Sequence, residues 1–183
     1  MPWEEDRKEF ISVISRCLEE IGAIKRREVR LASGETSNLY IDLRRLFGSP
    51  KCFVQIISIF EKLILKEIHQ FDAFAAVPTA GLPFATALAL KFNKPFFYAR
   101  TAKKEHGLQE MIEGGVVEGL KLVVIDDLIS SGYSKLPAIE ALRNAGATVD
   151  DTCVLIDREL GGQATLEQIG IKLHAVIMAS ELL

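Results

Sequence analysis

The sequence predicts an α/β fold built on a parallel sheet flanked by helices. Segments of strand character alternate along the chain with segments of helical period, as successive βαβ units require. The apolar runs LVVI (122–125) and CVLI (153–156) do not alternate with polar residues, and a strand covered by helices on both faces needs no polar side. The 183 residues suffice for one ordinary domain with its own core, and no linker, repeat or low-complexity stretch divides them.

The elements can be justified in order. The opening stretch EEDRKEFISVISRCLEEIGA puts Phe10, Ile14, Cys17 or Leu18, and Ile21 on one helical face. The period then changes. After a Ser-Gly turn, Leu39, Ile41 and Leu43 alternate with Tyr40, Asp42 and Arg44, which reads as a strand. Ser49 is placed to cap a helix with Pro50 at its first position, where a missing N–H does no harm. Phe53, Ile56, Ile57, Phe60, Leu63 and Ile64 form the buried face of that helix. FAAV (74–77) reads as a short strand, PTAG as a turn and LPFATALALKF as a helix. PFFYA (95–99) is the next strand, and residues 100–119 read as a long polar loop. KLVVI (121–125) is a strand ending on Asp126-Asp127. SKLPAIEALRNAG gives a helix closed by Gly146, and TCVLI (152–156) and KLHAVI (172–177) are the last strands.

Composition narrows the function. A net charge of −3 gives no broad electrostatic case for nucleic-acid binding. Lys and Glu interrupt the apolar runs, so no transmembrane helix is expected. The charged, acidic start MPWEEDRKEF is unlike a signal or transit peptide. Cys17, Cys52 and Cys153 are widely spaced and odd in number, fitting neither a disulfide framework nor a zinc site. They read as buried small hydrophobes in a reducing cytosol, so the expected location is cytoplasmic. His69 reads as solvated and His174 as a structural histidine, and no cluster offers a protein-built metal site.

In an open α/β sheet, ligands bind outside the carboxyl ends of the strands. PTAG, the loop from Arg100 and DDLISSG all lie at such ends and can converge on one crevice. After the strand, small residues let backbone amides crowd around an anion, and the start of a helix adds partial positive charge. Ser130, Ser131 and Ser134 add hydroxyl donors. This is a phosphate cradle, although neither G-x-x-x-x-G-K-[ST] nor G-x-G-x-x-G is present. Asp126 and Asp127 would repel a phosphate unless they face another part of the ligand. A ribose suits, because its hydroxyls donate and carboxylates accept. A second reading stays open: the acid pair caps the helix and the serines merely form a turn. In the loop, Arg100, Lys103, Lys104 and His106 gather positive charge near Gly107, Gly114 and Gly115. Such cations would stabilise a departing diphosphate, with a solvated charge run as the alternative. Arg158 offers a planar fork for a carboxylate, against a surface ion pair with Asp157 or Glu159.

LVVIDDLISSGYS resembles the 5-phosphoribosyl 1-diphosphate (PRPP) signature of the type I phosphoribosyltransferases. LASGETSNLYIDLR, VPTAGLPFATALAL, ARTAKKEHG, IEGG and LIDRELGGQATLEQIGIKLHAVI resemble the orotate phosphoribosyltransferases in order and spacing. The resemblance runs from about residue 29 to the C-terminus. It implies a type I phosphoribosyltransferase-like parallel sheet with a small hood from the N-terminal and C-terminal segments. One domain would span residues 1–183, with hood elements at about 1–48 and 157–183 and a core at about 49–156. The implied reaction transfers the 5-phosphoribosyl group of PRPP to orotate, giving orotidine 5′-monophosphate and diphosphate in de novo pyrimidine synthesis. Mg²⁺ is implied as cofactor, held mainly by PRPP and not by protein side chains.

The resemblance also implies residue roles. Asp126 and Asp127 would meet the ribose hydroxyls, and Leu128, Ile129, Ser130, Ser131, Gly132, Tyr133 and Ser134 would bind the 5′-phosphate. Thr79, Ala80 and Gly81 would turn backbone amides to the diphosphate. Arg100, Lys104, His106 and Gly107 match the family loop Arg-x-x-x-Lys-x-His-Gly, which makes Lys104 and His106, with the two aspartates, the expected catalytic set. Ser130, Arg158 and Tyr40 are expected at orotate. In the family this loop reaches the neighbouring subunit's site, so a homodimer sharing residues 100–115 is expected.

Three positions depart from the family pattern. Thr101 stands where many members carry a second basic residue, with Lys103 the candidate substitute in contacting PRPP. Ala32 stands where some carry lysine, and Tyr133 where a small residue is commoner, its side chain expected to point outward. Two alternatives remain. A phosphoribosyltransferase for another base would not need the Arg158 guanidinium. A PRPP-binding regulator would be expected to add a DNA-binding segment, and the first 28 residues show no helix-turn-helix pair. No nucleic-acid or membrane partner is expected. The end at SELL, soon after the family's last strand, favours a stand-alone enzyme over half of a bifunctional one.

Overall fold

The computed structural model describes residues 2–30, 36–100 and 111–182. The chain divides into two compact units, Met1–Ile56 and Ile57–Leu183.

The first unit opens with α1 (Pro2–Glu20). Phe10, Ile14, Cys17 and Leu18 are buried at the expected spacing, while Ile21 lies beyond the helix and is half-buried. β1 (Ile24–Arg30) and β2 (Thr36–Ile41) pair antiparallel, with Ile24 opposite Ile41. The alternation that suggested one strand running to Arg44 is cut short at Ile41. Leu43–Gly48 coils into a 3-10 turn that buries Leu43 and Leu46. Those two leucines are three apart, a spacing that a helical turn brings to one side. Asp42 fixes the switch: its carboxylate accepts from Arg44 Nε at 2.9 Å and its carbonyl from the Arg45 amide at 3.3 Å. α2 (Pro50–Glu67) begins at the proline, and the Ser49 carbonyl accepts the Phe53 amide at 2.9 Å.

The second unit holds a six-stranded sheet. Its strands are β3 (Ala73–Ala76), β4 (Phe96–Ala99), β5 (Ile112–Glu113), β6 (Lys121–Ile129), β7 (Thr148–Asp157) and β8 (Lys172–Met178). They lie in the order β5-β4-β3-β6-β7-β8, parallel except for β5. The connecting helices are α3 (Gly81–Phe92), α4 (Leu136–Asn144) and α5 (Gly162–Glu167). On one face, Ala73, Ala75, Leu122, Val124 and Val154 join a core with Ile139 and Leu142 of α4 and Leu166 of α5. Elsewhere in the core, the Phe74 ring meets those of Phe71 and Phe92 at 4.9 and 5.4 Å, and Phe84 meets Phe60 at 5.8 Å. Strands apolar on both sides explain why FAAV and LVVI show no alternation.

Two boundaries differ from the sequence reading, and both matter for the site. β6 does not end at Ile125 but runs to Ile129, with Asp126 opposite Val154 and Ile129 opposite Asp157. Long β7 sustains that ladder after β3, whose last partnered residue is Ala76 opposite Ile125, has turned away. The stretch 100–119 is not wholly loop, because Ile112 and Glu113 pair with Ala99 and Tyr98.

Candidate active site

The site is assembled where β3, β6 and β7 end at different heights. β3 leaves the sheet at Val77, whose amide donates to the Ile125 carbonyl at 3.2 Å. The turn then enters α3 through Gly81, whose amide donates to the Val77 carbonyl at 3.1 Å. A Cβ on Gly81 would lie 2.5 Å from the Ile125 carbonyl oxygen and 3.2 Å from Asp126 Oδ1. The turn therefore sits against the acid pair as closely as backbone allows. Thr79 is exposed and Ala80 half-buried.

Asp126 is buried at 6% exposure. Its Oδ1 accepts the Asp127 amide at 2.9 Å, and its Oδ2 accepts from Lys135 Nζ at 2.5 Å. Lys135 also donates to the Leu128 carbonyl at 2.7 Å. Asp127 is half-buried, and its Oδ1 accepts the Leu128 amide at 2.7 Å. Burial, then the neighbouring Asp126 carboxylate, push the Asp127 acid up to about 7, against the opposing pull of the Leu128 amide and the Lys135 ammonium.

The serine segment follows at once. Ser130 is half-buried, while Ser131 and Ser134 are exposed. Gly132 has φ +84°, and a Cβ there would meet the Gly162 carbonyl and Thr165 Cβ at 3.2 Å, so the turn needs glycine for both conformation and space. Tyr133 is 67% exposed, its side chain directed outward as expected. Tyr133–Lys135 forms a 3-10 turn leading into α4.

Arg158 stands one residue past β7, its amide donating to the Ile129 carbonyl at 2.9 Å. That places it beside Ser130. The neighbouring carboxylates accept backbone amides: Asp157 Oδ1 from Glu159 at 2.8 Å, and Glu159 Oε2 from Ser180 at 2.9 Å. Among the described residues the half-buried Arg158 guanidinium has no ion pair, so the surface-pair alternative is not what the fold builds. Arg100 immediately precedes the charged segment 101–110: its amide donates to the Met111 carbonyl at 2.8 Å, and its Nη1 pairs with Glu113 Oε1 at 2.7 Å. Lys103, Lys104, His106, Thr101 and Ala32 lie outside the described residues. Tyr40 is half-buried on β2, within the first unit.

Comparison with known proteins fits this arrangement. Residues 44–167 match the phosphoribosyl transferase domain. The chain is 41% identical over 153 residues to an orotate phosphoribosyltransferase of Sulfolobus acidocaldarius, covering 84% of this chain and 76% of that one. It is 39% identical over 174 residues to one of Cenarchaeum symbiosum, covering 94% and 87%. The crystal structure of the Aeropyrum pernix orotate phosphoribosyltransferase superposes with a TM-score of 0.84 at 34% identity, covering 92% of this chain and 95% of that one. The chain belongs to the orotate phosphoribosyltransferase family.

Two contacts of this family member escaped the motif reading. One is the Arg100–Glu113 pair, which needs β5 to exist before Glu113 can face Arg100. The other is Lys135. Its signal was present: Lys135, Ala138, Ile139 and Leu142 recur at helical spacing and are all buried. A lysine in the buried phase of a helix demands an acid partner. His174, read as structural, is buried with Nε2 2.8 Å from Asp151 Oδ1.

Proposed function

We infer that this chain transfers the 5-phosphoribosyl group of PRPP to orotate, releasing diphosphate and giving orotidine 5′-monophosphate in pyrimidine synthesis. The observation that carries the choice of base is Arg158, a half-buried guanidinium beside Ser130 with no ion pair among the described residues. A neutral base would leave that charge uncompensated, whereas the orotate carboxylate matches its fork.

The proposed roles combine the family resemblance with the geometry of the described residues. The segment from Ser130 to Ser134 takes the 5′-phosphate on backbone amides and hydroxyls. Asp127 meets the ribose hydroxyls, the expected contact of Asp126 being replaced by its bonds to Lys135 and the Asp127 amide, and the turn of Thr79, Ala80 and Gly81 takes the diphosphate. Lys104 and His106, carried by the loop whose base is Arg100, stabilise negative charge on the departing diphosphate oxygen; Lys103 stands in for the basic residue absent at Thr101. The bond from C1 to the diphosphate oxygen breaks as an orotate nitrogen attacks C1. Positioning and fixed charge lower the barrier, with no covalent enzyme intermediate.

Among the described residues no three His, Cys, Asp or Glu side chains cluster to hold a metal. Two carboxylates beside a diphosphate turn suit an Mg²⁺ carried by PRPP oxygens, where it offsets the diphosphate charge. We further propose a homodimer in which the 100–115 loop serves the neighbouring subunit, and a cytoplasmic location. No helix among the described residues is long and apolar enough to cross a membrane.

The test is orotate consumption, followed by its ultraviolet absorbance, with PRPP and Mg²⁺ and a Lys104→Ala control. Turnover requiring both substrates and collapsing in the variant supports the reading. PRPP binding without turnover of any base replaces it with that of a non-catalytic PRPP binder. Mixing Lys104→Ala subunits with Asp127→Asn subunits tests the shared loop, because a shared site regains activity in the mixed dimer.

A further inference from the structure

Lys135 has no task in the mechanism above, yet it is among the most buried polar residues described, at 1% exposure. An ammonium out of water is unfavourable unless its protons are matched. Here Nζ donates to Asp126 Oδ2 at 2.5 Å and to the Leu128 carbonyl at 2.7 Å. The two contacts tie the start of α4 back to β6, and the chain between them is the whole serine segment. Asp126 has both oxygens engaged, one by Lys135 and one by the Asp127 amide. Asp127 has one oxygen on the Leu128 amide, and its acid interacts with that of Asp126.

We propose that Lys135 is the positioning residue of the acid pair: its ammonium ties Asp126 down as a brace for the phosphate segment and keeps Asp127 available as the anionic acceptor for the ribose hydroxyls. The last clause rests on the phosphoribosyl reading. Among the described residues the charges facing Asp127 are few. β3 carries no ionisable residue. The single charge of α3, Lys91, lies in its last turn and pairs with Glu61 at 3.1 Å. On β7, Asp150 and Asp151 pair with Lys121 and His174, and Asp157 accepts the Glu159 amide. On α4, Arg143 donates to the Ile169 and Val149 carbonyls, and Glu140 is exposed. That leaves Asp126, which opposes ionisation of Asp127, and Lys135, which favours it.

The experiment is an aspartate 13Cγ NMR titration of the unliganded full chain for wild type, Lys135→Met and the double variant Asp126→Asn/Lys135→Met. PRPP affinity is measured alongside by calorimetry from pH 6 to 9. In Lys135→Met the Asp127 midpoint rises from about 7 by about one unit or more. At pH 7 the ionised fraction then falls from about one half to about one eleventh, and PRPP affinity falls about fivefold and recovers by pH 9. In the double variant the midpoint drops below the wild-type value, because the stronger opposing charge is gone as well. Equal midpoints in wild type and Lys135→Met, or an affinity loss that is uniform across pH, would overturn the proposal. If Lys135→Met does not fold, the double variant is compared with Asp126→Asn alone, and equal Asp127 midpoints in the two overturn it. If wild type bound no PRPP at any pH, the phosphoribosyl reading would fall, and the NMR midpoints would still decide what Lys135 does to the acid pair.

Discussion

Replacing Gly81 by alanine adds one methyl group at the point where the turn proposed to take the diphosphate meets the acid pair. The new Cβ would lie 2.5 Å from the Ile125 carbonyl oxygen, about 0.9 Å inside the 3.4 Å at which ordinary contact begins, and 3.2 Å from both the Cα and Oδ1 of Asp126. Its neighbours are two backbone atoms and a braced carboxylate, with no free side-chain end to swing away. The Ile125 carbonyl cannot retreat cheaply, because it accepts the Val77 amide at 3.2 Å and losing that bond costs about 1 kcal/mol. Overpacking costs roughly 1–3 kcal/mol, so Gly81→Ala should lose about 2–4 kcal/mol of stability. At roughly 2–4 °C per kcal/mol for a chain of this size, Tm falls by about 4–16 °C. The relief displaces the turn from Asp126 by several tenths of an ångström, and a misplacement approaching 1 Å costs on the order of 10²-fold in rate. The assay pairs thermal melts with steady-state turnover, using Gly48→Ala as control, since a Cβ on Gly48 meets nothing within 4 Å. A Gly81→Ala protein whose Tm stays within about 2 °C of wild type, with unchanged kcat and PRPP KM, would refute the claim that this turn is seated against the acid pair.

Arg158→Ala should raise the orotate KM by about 10–150-fold, the equivalent of roughly 1.5–3 kcal/mol for a charge-assisted pair, while the PRPP KM stays within about twofold; equal rises in both would remove the orotate assignment. Asp127 ionises in the unfolded chain near 3.8 but holds its proton up to about 7 in the folded one, so its contribution to stability is full below 3.8 and is lost as pH rises through 7. The Tm of wild type should therefore fall more steeply than that of Asp127→Asn between pH 5 and 8, and parallel curves would contradict the raised acid. PRPP affinity should move the opposite way, rising through pH 7 as the carboxylate becomes an acceptor. Chelating Mg²⁺ with EDTA should abolish turnover but leave the Tm of the unliganded protein unchanged, since the ion is proposed to arrive with PRPP; a Tm loss reversed by Mg²⁺ alone would point to a metal held by the protein itself.

Much of this was legible because burial on two faces leaves a mark in sequence. FAAV, LVVI and CVLI could be read as central parallel strands, and Arg158 could be placed by counting past the last of them. β1 could not be read: five of its seven residues, Lys25, Arg26, Arg27, Glu28 and Arg30, are charged, and backbone pairing with β2 makes it a strand. Leu43 fitted a strand and a helical turn equally well until the Asp42 contacts chose the turn. Lys135 was readable in phase but not in partner. Helical spacing requires it to be buried, and only the fold shows that its acid is Asp126, nine residues earlier.

The position of the acid pair shows why the remainder needed three dimensions. In sequence, Asp126 looks like the end of a strand, because apolar character stops there. In the fold, what stops at Ile125 is pairing on one side only: β3 has left, while β7 carries the ladder on to Ile129. Four residues of β6 thus stand beyond β3, a step of roughly 13 Å at about 3.3 Å per residue. We propose that this step forms the crevice of the candidate site. Its wall is a strand with one edge unpaired by β3, its floor is the turn seated on Gly81, and its far corner is Arg158 at the end of the longer neighbour. Unequal strand lengths bring the candidate site residues together, and strand length depends on which partner persists beside each residue, a property of the pair and not of either sequence alone.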